Sequence, residues 1–181
     1  PDMRSAEEAW LYLNNLKTIL SYIEVSDCKM EEGSLRCDIN ISLRPEGSKE
    51  FGTKVEIKNL GSFRAVRRAI EYEEKRQKEI LESGGSITQE TRRWDEAQGF
   101  TTFMRGKVEN RYSPEPNMAP IIIKDDWKEE IRSKIPELPN ARKARFMQEY
   151  SLPEYDASVI TASKILADFY EECVKYYHDP K

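Results

Sequence analysis

Ser5 and Glu8 form an S-x-x-E pair, and behind them Trp10, Leu13, Leu16, Leu20 and Ile23 recur at helical spacing. A hydroxyl followed three residues later by a carboxylate caps a helix reciprocally. The spacing therefore predicts an amphipathic helix to about Glu24, with Glu7, Glu8, Lys17 and Glu24 on its solvated side. The period then drops to two. Leu35, Cys37, Ile39 and Ile41 alternate with Ser34, Arg36, Asp38, Asn40 and Ser42, which predicts a strand within 32–42 with one buried face. Residues 45–48 (Pro-Glu-Gly-Ser) supply a turn, and 53–59 alternate again, with Val55 and Ile57 on one side and Lys54, Glu56 and Lys58 on the other. The simplest pairing of the two strands is an antiparallel hairpin.

Ser62 caps a long helix over about 63–83, stopped by Gly84-Gly85. Its later part, Glu71 to Glu82, is dense in alternating charge and is expected to be largely solvated. Residues 86–94 and 100–105 predict two more strands around a turn at 95–99. An extended Arg111–Pro116 segment and the apolar run Ile121–Ile123 follow. From Asp125 only helical signals remain. Asp125-Asp126 precede a helix over 127–135, Asn140 heads a basic helix, and a last helix over about 157–177 carries Ile160, Ile165, Leu166, Phe169 and Val174. The pattern is that of an α+β fold, an antiparallel sheet with long helices, with a domain boundary near residue 124.

Composition removes several kinds of chemistry. Among 181 residues, 29 Lys and Arg stand against 33 Asp and Glu, a net charge of -4. That balance argues against a basic nucleic-acid coat protein. No apolar run approaches the ~20 residues of a membrane span, and three Trp, nine Tyr and six Phe supply a core that a disordered chain lacks. The single histidine, His178, lies four residues from the end, a poor place for a rigid catalytic imidazole. Cys28, Cys37 and Cys173 lack metal-ligand spacing and read as reduced thiols of a cytosolic protein. The eight glycines form neither G-x-G-x-x-G nor a Walker loop. No signal peptide is seen, and a start at Pro1-Asp2-Met3 reads as cut from something longer.

What remains is the polar face of the hairpin, which collects Glu32, Ser34, Arg36, Asp38 and Asn40 from one strand and Lys54, Glu56 and Lys58 from the other. Two readings stand side by side. Cross-strand ion pairs are ordinary on the wet side of a hairpin, and spacing alone favours that reading. The same face suits a magnesium–nucleotide site. Mg²⁺ takes hard oxygen ligands, which makes Glu32, Asp38 and Glu56 candidates, and Arg36 and Lys58 could neutralise a phosphoryl group in transfer. Four small basic groups, Arg64/Arg67/Arg68, Arg92/Arg93, Arg105/Lys107/Arg111 and Arg142/Lys143/Arg145, are candidates for RNA phosphate contacts. In an acidic chain each reads first as a solvated face.

The words of the sequence say more than its periods. Residues 30–42 (Met-Glu-Glu-Gly-Ser-Leu-Arg-Cys-Asp-Ile-Asn-Ile-Ser) resemble the signature of the GatB family, the B subunits of aspartyl/glutamyl-tRNA(Asn/Gln) amidotransferases. So do 51–60 (Phe-Gly-Thr-Lys-Val-Glu-Ile-Lys-Asn-Leu), Ser62-Phe63-Arg64, and 89–95 (Gln-Glu-Thr-Arg-Arg-Trp-Asp). The match continues through Pro114-Glu115-Pro116, Pro136-Glu137-Leu138-Pro139, 152–157 and 161–164, in order along essentially the whole chain.

The resemblance implies a fold and a role. Residues 1–123 would be the C-terminal half of a cradle domain related to glutamine synthetase, and 124–181 the start of an all-α helical domain. The family works as a heterotrimer with an amidase subunit and a small third subunit. Its members use ATP and Mg²⁺ to phosphorylate the side-chain carboxylate of misacylated Glu-tRNA(Gln) or Asp-tRNA(Asn), and ammonia then displaces phosphate to leave the amide. On this reading Arg36, Lys58 and Glu56 are catalytic, Arg36, Asn40 and Lys58 meet the nucleotide, and Glu32, Asp38 and Glu56 meet the metal. The implied location is the bacterial cytoplasm or an organelle, with no membrane.

The chain also departs from the family. The family's N-terminal half, with further metal ligands, and its C-terminal tail domain fall outside this sequence, so the isolated chain is expected to be inactive. Residues 108–113 are shorter than the acidic stretch usual there. Two further readings are a non-catalytic module for tRNA binding and subunit assembly, and an archaeal relative among the tRNA-dependent amidotransferases. The Asn59–Arg64 block looks like the bacterial and organellar form.

Overall fold

In a computed structural model, residues 2–107 and 113–177 are described. Arg111, Tyr112 and His178 lie outside them. The chain forms two compact units. The first takes residues up to Asn14 and resumes at Lys29; the second takes Asn15–Cys28 and the chain from Ser113 on. Helix α1 (Ala6–Tyr22) contributes to both.

The first unit is built on a four-stranded sheet in the order β1-β2-β3-β4: β1 (Ile39–Ile41), β2 (Val55–Lys58), β3 (Glu90–Asp95) and β4 (Phe100–Gly106). The predicted hairpin pairing is present, with Ile39 opposite Ile57 and Ile41 opposite Val55. Its first strand is much shorter than the alternation implied. Residues 30–34 close a turn in which Gly33, at φ +80°, donates its N–H to Met30 O at 3.1 Å and Ser34 N–H reaches Lys29 O at 3.0 Å. Glu32, Ser34 and Arg36 therefore precede the sheet.

The expected antiparallel sheet is in fact mixed, because β2 and β3 run parallel, with Glu56 opposite Thr91 and Lys58 opposite Arg93. The physical reason is α2 (Phe63–Glu82), which lies between them in sequence. A parallel pair needs such a crossover, whereas a short turn serves the antiparallel β3–β4 pair. Ser62 caps α2 as predicted, its hydroxyl accepting from Ala65 N at 3.0 Å. Gly84, at φ +80°, follows its end. Gly52 is required for closeness: a Cβ there would stand 1.8 Å from the Leu43 carbonyl oxygen.

The core of this unit is Leu13, Ile39, Ile57, Leu60, Ala65, Val66, Ala69 and Trp94. The expectation that residues 71–82 are solvated fails at two positions, since Glu73 and Gln77 are fully buried. Both lie on the stripe Val66, Ala69, Glu73, Gln77, whose three- and four-residue steps face the sheet. Glu73 accepts from Arg76, Gln77 and Thr101. Gln77 accepts from Leu43 N at 3.2 Å and donates to Ile41 O at 3.4 Å.

The second unit is helical. It contains α3 (Asp125–Lys134), α4 (Pro139–Glu149), α5 (Glu154–Thr161) and α6 (Lys164–Tyr176). Phe146, Leu152, Ala157 and Ala167 form its core, and Tyr22 donates its hydroxyl to Thr161 O at 2.7 Å. Two boundaries differ from expectation. Helix α4 starts at Pro139, whose missing N–H costs nothing in a first turn, so Asn140 lies inside it. The single last helix is two, because Ser163 leaves helical geometry and caps α6 through Leu166 N.

Candidate functional site

The uncovered site lies on the polar face of the sheet, opposite the face that packs on α2. Val55 and Ile57 point inward and are fully buried, so Glu56 and Lys58 between and after them point outward. The registers extend this face across all four strands. Asn40, Glu56, Thr91 and Arg105 lie in one row, and Lys58 and Arg93 start the next, with Thr102 of β4 opposite Arg93.

Lys58 is the centre of the cluster. Its ammonium lies 2.5 Å from Asp38 Oδ2 and 3.2 Å from Glu56 Oε1, so one cation bridges two carboxylates. The hydrogen bond to Asp38 is the main reason that the Lys58 pKa is raised, with Glu56 adding to it. Glu56 in turn accepts from the Thr91 hydroxyl at 2.7 Å through Oε2. That bond, more than any other cause, lowers the Glu56 pKa; Lys58 and the charge of Arg105 act in the same direction against partial burial. The cluster thus joins two acidic side chains to one ammonium, with Arg93 and Arg105 exposed beside it on the same face.

Arg36 stands in a different setting. With Asp38, Asn59, Gly61, Ser62 and Ala65 it lines a cleft of about 600 Å³ at the N-terminus of α2. Asn59, at φ +69°, makes the turn into that helix and is pinned by its Nδ2 donating to Trp94 O at 2.9 Å. Burial, with the nearby Asp38 charge, raises the pKa of Cys37 on the same rim, so this thiol is not an activated nucleophile.

Of the sequence-predicted residues, Asp38, Glu56 and Lys58 are brought into contact, and Asn40 joins their face as the partner of Glu56 in the register. Glu32 is not brought to them. It is exposed in the turn before β1 and pairs with Lys29 at 2.9 Å. Among the described residues no three His, Cys, Asp or Glu side chains stand close enough to hold a metal ion. The three-carboxylate set is thus a pair plus an outlier, because β1 begins too late to carry Glu32.

Sequence reasoning does not place Thr91, Arg93 or Arg105 on the hairpin's polar face, and it names Arg93 and Arg105 only as candidate RNA phosphate contacts. They join the site only through the parallel β2–β3 pairing and the β3–β4 register. Their signal is the 89–95 block, whose polar residues a grouping by charge alone does not sort by face. The basic groups separate sharply. Arg92 turns to the α2 side, where it meets Glu90 at 2.6 Å and Thr101 O at 2.8 Å. Arg67 pairs with Glu7 and Glu71, and Arg68 with Glu96. In the second unit Arg142 is buried against Asp168 and Glu171, and Arg145 is held by Glu137, Glu149 and Glu171. Those arginines are engaged with carboxylates and are not a presented RNA patch. Arg93 and Arg105 remain exposed on the site face.

Comparison with known proteins agrees with these motifs. The family model for the GatB/GatE catalytic domain matches residues 1–129. The chain is 61% identical, over an alignment of 184 residues, to the B subunit of the aspartyl/glutamyl-tRNA(Asn/Gln) amidotransferase of Caldicellulosiruptor saccharolyticus. The alignment covers all of this chain and 38% of that relative. The corresponding B subunits of Thermoanaerobacter sp. strain X514 and Halalkalibacterium halodurans are 60% and 58% identical, each covered to 39%. The chain thus spans about two fifths of the length of the curated relatives it matches. No helix among the described residues is long and apolar enough to cross a membrane. With full coverage of this chain at about 60% identity and a catalytic-domain match that includes the whole polar sheet face, the chain belongs to the GatB/GatE catalytic domain family.

Proposed function

We propose that this chain is part of a tRNA-dependent amidotransferase and that its polar sheet face serves the ATP-dependent activation of a side-chain carboxylate. The substrate would be Glu-tRNA(Gln) or Asp-tRNA(Asn), the working assembly a heterotrimer with an amidase subunit and a small third subunit, in the cytoplasm or an organelle. The carboxylate oxygen attacks the γ-phosphorus, the bond to the leaving ADP breaks, and an acyl phosphate forms. Ammonia then adds at the acyl carbon, phosphate leaves with its bonding electrons, and a proton lost from nitrogen completes the amide. Residues 1–123 would be the C-terminal half of the cradle domain, and the chain from 124 the start of the helical domain.

The observation that carries this reading is the Lys58 bridge between Asp38 and Glu56, set in strand rows with Arg93 and Arg105. Phosphoryl transfer asks a protein mainly for placed charge. Lys58, held by two carboxylates, is a fixed cation; Arg93 and Arg105 extend the positive field along the face, and Arg36 brings a further cation to the adjoining cleft. Asn40 offers an amide in the Glu56 row.

The donor set also bears on the metal. Two carboxylates do not make a self-sufficient cage, but Mg²⁺ is commonly bound through one or two carboxylates, with phosphates and water completing its shell. Glu56 and Asp38 fit an ion brought in with ATP, and Glu32 does not join them. Such an ion would neutralise phosphate charge. Arg36, Asn40 and Lys58 would orient the nucleotide, and the Thr91 hydroxyl and Lys58 favour the charged form of Glu56.

The test uses the complete heterotrimer with Glu56→Gln and Asp38→Asn. Loss of ATP-dependent amidation with tRNA affinity retained is expected. Weakened tRNA or subunit association, with amidation intact at saturating substrate, would instead identify a non-catalytic binding and assembly module.

A further inference from the structure

We propose that Thr91 is a positioning residue for the Glu56 carboxylate, setting the orientation in which that carboxylate meets the magnesium–nucleotide; this rests on the functional reading of the site given above. Thr91 is 6% exposed, yet its hydroxyl points away from the α2 core and donates to Glu56 Oε2 at 2.7 Å. The other Glu56 oxygen, Oε1, meets Lys58 at 3.2 Å. With one directional partner on each oxygen, the plane of the carboxylate is fixed, and each oxygen keeps a lone pair for a further ligand.

The backbone around Thr91 supports the assignment. The β3–β4 register shifts between Thr91 and Arg92: Thr91 lies opposite Arg105, and Arg92 opposite Phe103. Met104 is thereby the extra residue of a bulge, and bulges re-aim side chains. Here the shift places Arg105 in the row of Glu56 and Thr91, while the next residue, Arg92, is anchored on the other face by Glu90 and Thr101. Thr91 is β-branched, so its hydroxyl is restricted at χ1 and the donor is preset. Partners of this kind, behind a ligating carboxylate, typically change metal affinity or activity by about 10- to 100-fold when removed.

The experiment compares Thr91→Val, Thr91→Ala and Thr91→Ser in the full-length protein within the heterotrimer. Calorimetry measures ATP binding as Mg²⁺ is varied, amidation assays separate kcat from KM for ATP, and thermal melting reports the fold. The expected result is about a tenfold or greater rise in the Mg²⁺ concentration needed for half-maximal ATP binding in both Val and Ala variants. The Ser variant should return to within about threefold of the parent, with tRNA affinity unchanged across the set and the melting temperature of the Val and Ala variants lowered by only a few degrees, the cost of one lost hydrogen bond. An unchanged Mg²⁺ dependence in the Val and Ala variants, with Glu56→Gln inactive, would overturn the role of Thr91 and leave the site reading standing. An active Glu56→Gln would overturn the site reading itself.

Discussion

Glu73, on the α2 face turned to the sheet, is fully buried and is gripped by Arg76, whose Nε and Nη2 reach its two carboxylate oxygens at 3.0 and 2.6 Å. Gln77 Nε2 at 3.0 Å, the Thr101 hydroxyl at 3.2 Å and Arg92 Nε at 3.8 Å complete the shell. A buried ion is tolerated only with such saturation, and removing one partner of a buried pair costs about 3–5 kcal/mol. Glu73→Ala should lower the unfolding free energy of the first unit by about that amount in urea titrations. Glu73→Leu combined with Arg76→Met should lower it by much less, because neither charge is then stranded.

Lys58 presents the opposite case. It and its partners Asp38 and Glu56 are all partly open to solvent, and pairs of that kind contribute about 0–1 kcal/mol. Lys58→Met should therefore shift the unfolding midpoint little, while ATP-dependent amidation by the heterotrimer falls by about two orders of magnitude or more, as when a preorganised electrostatic contact is removed. Loss of stability in step with activity would contradict this separation.

The Glu56 carboxylate gives a pH signature. Its pKa lies below the ordinary value of 4.5, so its bonds to Thr91 and Lys58 favour the folded state most at pH above that value. This contribution is lost as pH falls through the depressed folded value. The stability difference between the parent chain and Glu56→Gln should be constant from about pH 7 to about 5 and should shrink below about pH 4. Urea unfolding at stepped pH measures it. A difference that grew on acidification would reverse the sign.

Arg142 is engaged within the second unit and offers no free guanidinium to a phosphate. It is 6% exposed and ion-paired with Asp168 at 2.5 Å and with Glu171. Burial acts to lower the Arg142 pKa, and the two carboxylates outweigh it, leaving it raised. Arg142→Ala should destabilise the helical unit by about 3 kcal/mol or more. In the complete assembly the salt dependence of tRNA binding should keep its slope, since no phosphate contact is removed. Arg93→Ala should do the reverse, leaving stability within about 0.5 kcal/mol and reducing binding of anionic substrate.

Much of this protein is legible in the sequence. The helix from Ser5, the Ser62 cap, the Gly84 stop and the Val55/Ile57 alternation depend on neighbours within a few residues, and they stand where the pattern places them. The 32–42 alternation reads as one long strand. Alternation describes which way side chains point and cannot see the turn closed by Gly33 and Ser34, so it assigns Glu32 and Arg36 to a strand they do not occupy. Reading charge density over 71–82 as solvation fails for a related reason. Composition averages around the helix, whereas Glu73 and Gln77 sit on its single inward stripe.

Sequence alone determined the family, through word-length blocks in order along the chain, and the residue types that the polar face holds. Only tertiary structure decided which charges meet. Asp38 and Lys58 are 20 residues apart, and Glu56 and Thr91 are 35 apart. Their contacts follow from an antiparallel register and a parallel crossover that local preferences do not specify. The same long-range pairing placed Arg93 and Arg105 on the site face and turned Arg92 to the α2 side, because successive residues of a strand point to opposite faces.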